Sequence, residues 1–66
     1  MYKLGEELRK RRKQRGWTQE KMAMRVEVHR TTYVRYERGD VQPSLETLCR
    51  LAEVLECTTD TLLGRE

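Results

Sequence analysis

One short segment places four side chains, of types that can contact the edges of nucleic-acid bases, at helical spacing. Arg30, Thr31, Val34 and Arg35 fall within an arc of about 140° when residues are set about 100° apart around a helix axis. Arginine can donate two hydrogen bonds to guanine O6 and N7, and threonine and valine can contact a thymine methyl group. The spacing therefore predicts readout of base edges. A solvated arginine face is the alternative, and we favour readout because arginine rather than lysine dominates.

Two residues outside this arc are predicted to hold it in place and to bind phosphate. Arg12 recurs every four residues with Leu4 and Leu8, so its guanidinium should be partly buried and needs a partner. Glu37 is the best candidate, because a carboxylate accepts arginine through two hydrogen bonds, and part of the guanidinium remains for a phosphate. Gln19 lies in the first turn of a helix, where unpaired N–H groups attract phosphate. An ordinary exposed glutamine is an equally good interpretation of Gln19.

The charge of the chain is unevenly distributed. The net charge is +3, but residues 1–38 hold twelve Lys and Arg against five Glu, whereas residues 39–66 hold two Arg against six Asp and Glu. Charged surfaces commonly serve solubility. Here the basic excess coincides with the base-reading segment, which favours a polyanionic partner such as nucleic acid.

The elements that must position these residues are all helical. The apolar spacing predicts a first helix ending near Arg15 and Gly16, a second capped by Thr18 and broken at Glu27, and a third ending at Gly39. Ala23 is the small residue expected where the second and third helices approach. Trp17, Tyr33 and Tyr36 are interpreted as core residues, with base stacking as the alternative.

Two further helices follow the break around Pro43. Ser44 is predicted to cap the fourth, whose apolar face comprises Leu45, Leu48, Cys49, Leu51, Ala52 and Leu55. Thr58 caps a last short helix through Leu62 and Leu63, which Gly64 ends. The sequence therefore predicts a compact all-α domain of five helices, comprising residues 1–66.

Several functional classes are excluded by composition. A chain of 66 residues is too short for a deep catalytic cleft, and one histidine, no plausible carboxylate pair and no phosphate-binding glycine loop exclude an enzyme or a cofactor. No apolar run approaches the roughly 20 residues of a membrane span, and no secretory leader is present, so a cytoplasmic protein is expected. Cys49 and Cys57 fit neither a metal site nor a disulfide scaffold and are predicted to be reduced packing residues.

From about Leu4 to Leu63, the chain resembles the lambda-repressor-like family of helix-turn-helix DNA-binding domains, of the Cro and xenobiotic-response-element type. The resemblance is carried by Gln19, Ala23, Val28, Glu37-Arg38-Gly39, Pro43-Ser44-Leu45, Ala52 and Leu55. It implies a helix-turn-helix formed by helices two and three. It also implies base readout from Arg30, Thr31 and Arg35 with Val34 nearby, and phosphate contacts from Arg12, Gln19, Arg38 and Gln42.

The chain departs from the family pattern at three positions. Glu27 and Glu56 stand at helix ends where the family usually has glycine or asparagine, suited to a positive φ, so either each residue is strained or its turn is reshaped, at a cost of about 1 kcal/mol. His29 replaces the usual serine or threonine cap of the third helix. Either His29 or Arg30 therefore opens that helix.

The sequence predicts a transcription regulator, a repressor, that binds double-stranded DNA in the major groove. Because one short helix reads few base pairs, a homodimer on a palindromic operator is expected. Leu63 points about 100° away from Leu62, and Val54 points outward on the neighbouring helix, so Val54 and Leu63 are predicted to form the dimer interface. The alternative is a protein-interaction module, such as an antitoxin or anti-repressor, whose basic half binds an acidic partner.

Overall fold

Five helices follow one another in the part of the chain that the computed structural model describes, residues 3–65. They are α1 (Leu4–Gln14), α2 (Gln19–Arg25), α3 (Arg30–Arg38), α4 (Leu45–Val54) and α5 (Thr59–Leu63). The predicted all-α fold and helix order are confirmed. Within residues 3–65, none of these helices is long and apolar enough to cross a membrane.

Three hydroxyl side chains begin helices as predicted. Thr18, Ser44 and Thr58 have extended backbones, and each Oγ accepts a hydrogen bond from the backbone N–H three residues later, at 3.0, 3.2 and 3.0 Å respectively. These bonds satisfy N–H groups that the first helical turn leaves without a partner. The starts of α2, α4 and α5 are thus fixed by local chemistry.

Two glutamates form the turns that follow α2 and α4. Glu27 and Glu56 have positive φ values of 59° and 55°, which confirms the left-handed conformation expected at both. The carbonyl just before each glutamate accepts a hydrogen bond from an arginine of another helix. Arg50 donates to the Val26 carbonyl at 3.1 Å, and Arg15 donates to the Leu55 carbonyl at 2.9 Å. These bonds satisfy helix-end carbonyls at the two strained turns.

The core lies between all five helices and includes both tyrosines of α3. Tyr33 is completely buried and Tyr36 is 7% exposed, and their rings meet edge to face with centroids 6.4 Å apart. The prediction that they are core residues is therefore confirmed. Ala23 is also buried, as expected where α2 meets α3. The remaining buried apolar side chains are Leu8, Met22, Val26, Leu51, Ala52, Leu55 and Leu62.

The apolar face of α4 is narrower than the sequence predicted. Leu45 is 76% exposed and Cys49 is also exposed, so their assignment to the core face was wrong. Leu51 and Leu55 define the buried side of the helix, and Cys49 is turned about 140° from its centre. Cys57, by contrast, packs half-buried against the core.

Candidate nucleic-acid interface

The outer side of α3 presents the predicted base-reading residues to solvent. Arg30, Thr31 and Arg35 are exposed, whereas Val34 is half-buried at the margin of this surface. The opposite side of the helix is anchored by the buried tyrosines. The sequence reasoning therefore placed these four side chains on the correct side of α3, with Val34 less accessible than the other three.

His29 is the N-cap of α3, so the helix itself begins at Arg30. Its backbone is extended, with φ −67° and ψ 145°, and its Nδ1 accepts a hydrogen bond from the Thr31 N–H at 3.2 Å. The imidazole thus takes the place of the serine or threonine oxygen that caps α2, α4 and α5. The first turn of α3 contains no acidic residue, unlike that of the other four helices.

A buried ion pair joins α1 to α3, as the sequence predicted. Arg12 Nε donates to Glu37 Oε2 at 2.6 Å, and Arg12 Nη2 donates to Glu37 Oε1 at 3.2 Å. Only 10% of the Arg12 side chain and 4% of the Glu37 side chain are exposed. Arg12 Nη1 also donates to the Trp17 carbonyl at 2.7 Å. The guanidinium therefore binds both α3 and the α1–α2 link.

Gln19 belongs to the same network, which the sequence did not indicate. Its amide nitrogen donates to Glu37 Oε1 at 3.1 Å, so the carboxylate accepts from two helices at once. The side chain is held half-buried at the start of α2, beside the exposed side of α3. One carboxylate therefore sets the relative positions of α1, α2 and α3.

This network keeps its charges at neutral pH. Burial alone would raise the pKa of Glu37, but hydrogen bonds from Arg12 and Gln19 outweigh it and hold the pKa below its usual value. The hydrogen bond with Glu37 raises the pKa of Arg12 in spite of desolvation. Burial, and then the negative Glu37, raises the pKa of Tyr33 far above its usual range. The Tyr33 hydroxyl is buried without a hydrogen-bond partner of acceptable geometry.

Gly5 permits α1 to approach α3 more closely than any larger residue would. A Cβ atom at this position would clash with the Glu37 carbonyl oxygen and would lie 2.9 Å from the Tyr36 carbonyl oxygen. The sequence analysis did not single out Gly5. The position of Gly5 inside a helical pattern could have indicated this contact, since such a glycine often marks a close backbone approach.

Trp17 is covered by two arginines that the sequence analysis did not connect with it. The guanidinium carbons of Arg25 and Arg15 lie 4.4 and 5.2 Å from the ring centroid. Such cation–π contacts contribute about 0.5–1 kcal/mol at exposed sites. Trp17 is half-buried against the core, which favours its interpretation as a packing residue.

Two further predicted phosphate ligands lie at the end of α3 and in the loop toward α4. The Arg38 side chain is 69% exposed, and its Nε lies 3.4 Å from Asp40 Oδ2. Gln42 is exposed four residues further along the chain. The charge of Arg38 is therefore partly compensated by the Asp40 carboxylate, whereas Gln42 is uncharged.

The proposed dimer residues lie in the acidic half. Val54 ends α4 and Leu63 ends α5, and both are half-buried, whereas the adjacent Leu62 is completely buried. The expected divergence of Leu62 and Leu63 is thus observed. Leu45, with its greater exposure, was not assigned to any interface from the sequence.

Known proteins share both this sequence and this arrangement of helices. A family model described as Helix-turn-helix matches residues 8–62, which is most of the chain. The chain belongs to the helix-turn-helix family. The transcriptional regulator AnsR of Bacillus subtilis is 42% identical over 83% of this chain and 47% of its own length. The phage CTXphi repressor RstR of Vibrio cholerae is 38% identical over 96% of this chain and 56% of its own length.

The solved structures agree with this family assignment. The P22 c2 repressor in complex with a synthetic operator superposes with a TM-score of 0.91 and 30% identity, covering 100% of both chains. A transcriptional regulator from Listeria innocua superposes with a TM-score of 0.90 and 28% identity, covering 97% of this chain and 60% of its own. This helix-turn-helix chain spans about half the length of AnsR and RstR. The relatives are regulators, in agreement with the absence of an enzymatic function predicted above.

Proposed function

We propose that this helix-turn-helix protein is a cytoplasmic, sequence-specific regulator of transcription, a repressor, that places α3 in the major groove of double-stranded DNA. The observation that carries the proposal is the two-sided character of α3. Its tyrosines are buried in the core while Arg30, Thr31 and Arg35 are exposed together. The likeness to the P22 c2 repressor, which was solved in complex with a synthetic operator, supports DNA as the partner of this chain.

The Arg12–Glu37 pair would hold this helix at a fixed angle to the rest of the domain. A rigid support matters because bidentate readout of guanine requires placement of the arginine fork within fractions of an ångström. Three of the five N–H groups of Arg12 are used within the protein, so the two that remain would have to make its phosphate contact.

Three other residues complete the proposed phosphate surface. The Gln19 amide nitrogen is held by Glu37, which leaves its carbonyl oxygen and the backbone at the start of α2 facing outward. In this proposal the Gln19 backbone N–H binds phosphate and the side chain fixes its position. Arg38 and Gln42 bind the next phosphates along the same strand, and Arg38 exchanges its Asp40 contact for DNA.

Selection of bound sequences from a random DNA pool tests this function. The wild-type protein should yield a consensus, and Arg35→Ala should lose preference at one position of it, at a cost of about 1–3 kcal/mol. Gln19→Ala should weaken all sequences alike. Arg9→Ala is the matched control, because Arg9 is an exposed arginine on α1 outside the proposed interface. A consensus that is unchanged in Arg35→Ala would refute readout by α3.

Salt dependence separates DNA binding from the alternative of an acidic protein partner. Each phosphate contact should change the logarithm of the association constant by about 0.9 per logarithm of salt concentration. Only phosphates neutralised by a cation count in this slope, so Arg12 and Arg38 should together lower the affinity of each bound chain roughly tenfold between 50 and 200 mM salt. Weak binding to every duplex, without a consensus, would instead favour the protein-interaction module.

We also propose that the protein binds a palindromic operator as a homodimer through Val54 and Leu63. Both side chains are half-buried at the ends of α4 and α5, where a second copy would complete their burial. Leu63→Glu should shift the protein to monomer in analytical ultracentrifugation. Leu45→Glu is the matched control, since Leu45 is a more exposed leucine outside this pair. Loss of the dimer in Leu45→Glu and not in Leu63→Glu would contradict the assignment.

A further inference from the structure

The cap of α3 depends on the protonation state of a side chain. His29 Nδ1 accepts the Thr31 N–H at 3.2 Å. A ring nitrogen accepts a hydrogen bond only when it carries no proton, so the bond requires the neutral imidazole with its proton on Nε2. In the doubly protonated ring, both nitrogens donate, and the contact between Nδ1–H and the Thr31 N–H becomes repulsive.

No other helix start of the described residues has this property. The hydroxyl caps Thr18, Ser44 and Thr58 do not titrate, and each stands before a helix with an acidic residue in its first turn. α3 has a histidine cap and no acidic residue in its first turn. A positive imidazolium at this point would also oppose the positive end of the helix dipole.

The residues that depend on this cap are the proposed base readers. Arg30 and Thr31 occupy the first turn of α3, and Thr31 donates the capping bond itself. When the cap opens, this turn loses the bond that fixes its backbone, and both side chains lose their defined positions. Arg35 lies more than one turn further along and is held by the packing of the tyrosines beside it.

Charged residues stand in the turn before α3, at the start of α3 and at the end of α2, and one residue of α4 contacts the turn. Glu27 belongs to the turn, Arg30 to α3, and Arg50 of α4 donates to the Val26 carbonyl; Arg25 of α2 lies over Trp17. Carboxylates and guanidinium groups ordinarily keep their charges between pH 5.5 and 8, whereas an imidazole changes its charge in this interval. A change at the start of α3 within this interval therefore reports the imidazole.

We propose that His29 is a positioning residue for DNA readout, which holds Arg30 and Thr31 in place through its neutral, Nε2-protonated ring. Discrimination between the operator and other DNA then weakens as the pH falls from 8 to 5.5. This inference rests on the proposed function for the DNA readout, but the cap itself is observable in the free protein.

The cap is tested first without DNA, by NMR. In the wild-type protein, the Thr31 amide resonance should titrate between pH 8 and 5.5 together with the His29 ring resonances. In His29→Ser, whose hydroxyl is a cap that does not titrate, the Thr31 amide should stay constant. A wild-type Thr31 amide that does not move with the His29 ring would overturn the proposal.

The readout is tested by fluorescence anisotropy at constant salt, with the selected operator and a scrambled duplex. The ratio of the two affinities should fall about three- to tenfold in the wild type between pH 8 and 5.5, and less than about twofold in His29→Ser. An imidazolium attracts both duplexes alike, so this general attraction to DNA does not change the ratio of the two affinities. His29→Ala, which has no cap, should show the low ratio at both values of pH.

Two results separate the failure of this inference from that of the proposed function. A wild-type ratio that is high at pH 8 and equally high at pH 5.5 refutes the role of His29 and leaves DNA recognition intact. A ratio near one at both values, with no consensus selected, refutes the proposed function and with it the readout role, even when the Thr31 amide titrates.

Discussion

Glu37→Gln is the sharpest test of whether the ion pair with Arg12 holds α3 in place. Glutamine keeps one carbonyl oxygen but replaces the other by an amino group, which would face a donor nitrogen of Arg12 or Gln19. It also leaves the 10%-exposed Arg12 side chain without its counter-charge. Removing one partner of a buried pair costs about 3–5 kcal/mol; because Arg12 keeps the Trp17 carbonyl and one oxygen at position 37, we expect about 2–4 kcal/mol.

Urea denaturation at pH 7, followed by circular dichroism, measures this loss. A domain of this size has a free energy of unfolding of roughly 3–10 kcal/mol, so Glu37→Gln should lose a large part of it. With an m-value of about 1 kcal/mol/M, the midpoint should fall by about 2–4 M urea. Glu7→Gln is the matched control, because it removes the same kind of partner from Arg11 in a pair whose side chains are 30% and 25% exposed. There we expect less than about 0.5 kcal/mol.

The pH dependence of the free energy of unfolding provides a second, independent test of the same ion pair. Since the folded-state pKa of Glu37 lies below its usual value of 4.5, its stabilising contribution is fully present above that value and is lost as the pH falls through the lowered pKa. Acidification should therefore destabilise the wild type more than Glu37→Gln. If Glu37→Gln and Glu7→Gln lose equal stability at pH 7, the ion pair does not hold α3 as we have argued.

Three further substitutions are tested by the same denaturation measurement. Gly5→Ala should destabilise the protein by more than about 2 kcal/mol, because its Cβ would clash with the Glu37 carbonyl; a gain, as in an ordinary helix, would contradict this close approach. Glu27→Gly should stabilise it by about 0.5–1 kcal/mol, since glycine adopts the φ of 59° without strain; a loss would show that the glutamate side chain matters more. Tyr33→Phe should leave stability unchanged or raise it, because the buried hydroxyl lacks a partner, and a loss above about 1 kcal/mol would reveal a hydrogen bond there.

Sequence reasoning succeeded where local chemistry decides the outcome. The hydroxyl caps and the side on which α3 is exposed follow from residue type and spacing, whereas the positive φ of Glu27 and Glu56 was expected from the family resemblance. The partner of Arg12 was also predictable, because a guanidinium on an apolar stripe requires a carboxylate and Glu37 stands at the margin of the inner face of α3.

Prediction from the sequence failed where the distance between packed helices decides the outcome. The periodicity of α4 identifies an apolar stripe but not how far the neighbouring helices cover it. Leu45 and Cys49 were therefore wrongly predicted to be buried. The close approach at Gly5 depends on the crossing of α1 and α3. Neither interpretation of Gln19, as a phosphate ligand or as an exposed glutamine, included its contact with Glu37, because that contact exists only after three helices have packed.

The arginines that satisfy the two glutamate turns have a consequence for how the protein can be divided. Arg50, from α4, closes the end of α2, and Arg15, the residue that follows α1, closes the end of α4. Neither turn is therefore completed by the helices that it joins. A peptide comprising residues 18–39 would carry every proposed base-reading residue and yet lack the donor to Val26. This segment is consequently not a transplantable module, and its order is gained or lost together with the whole domain.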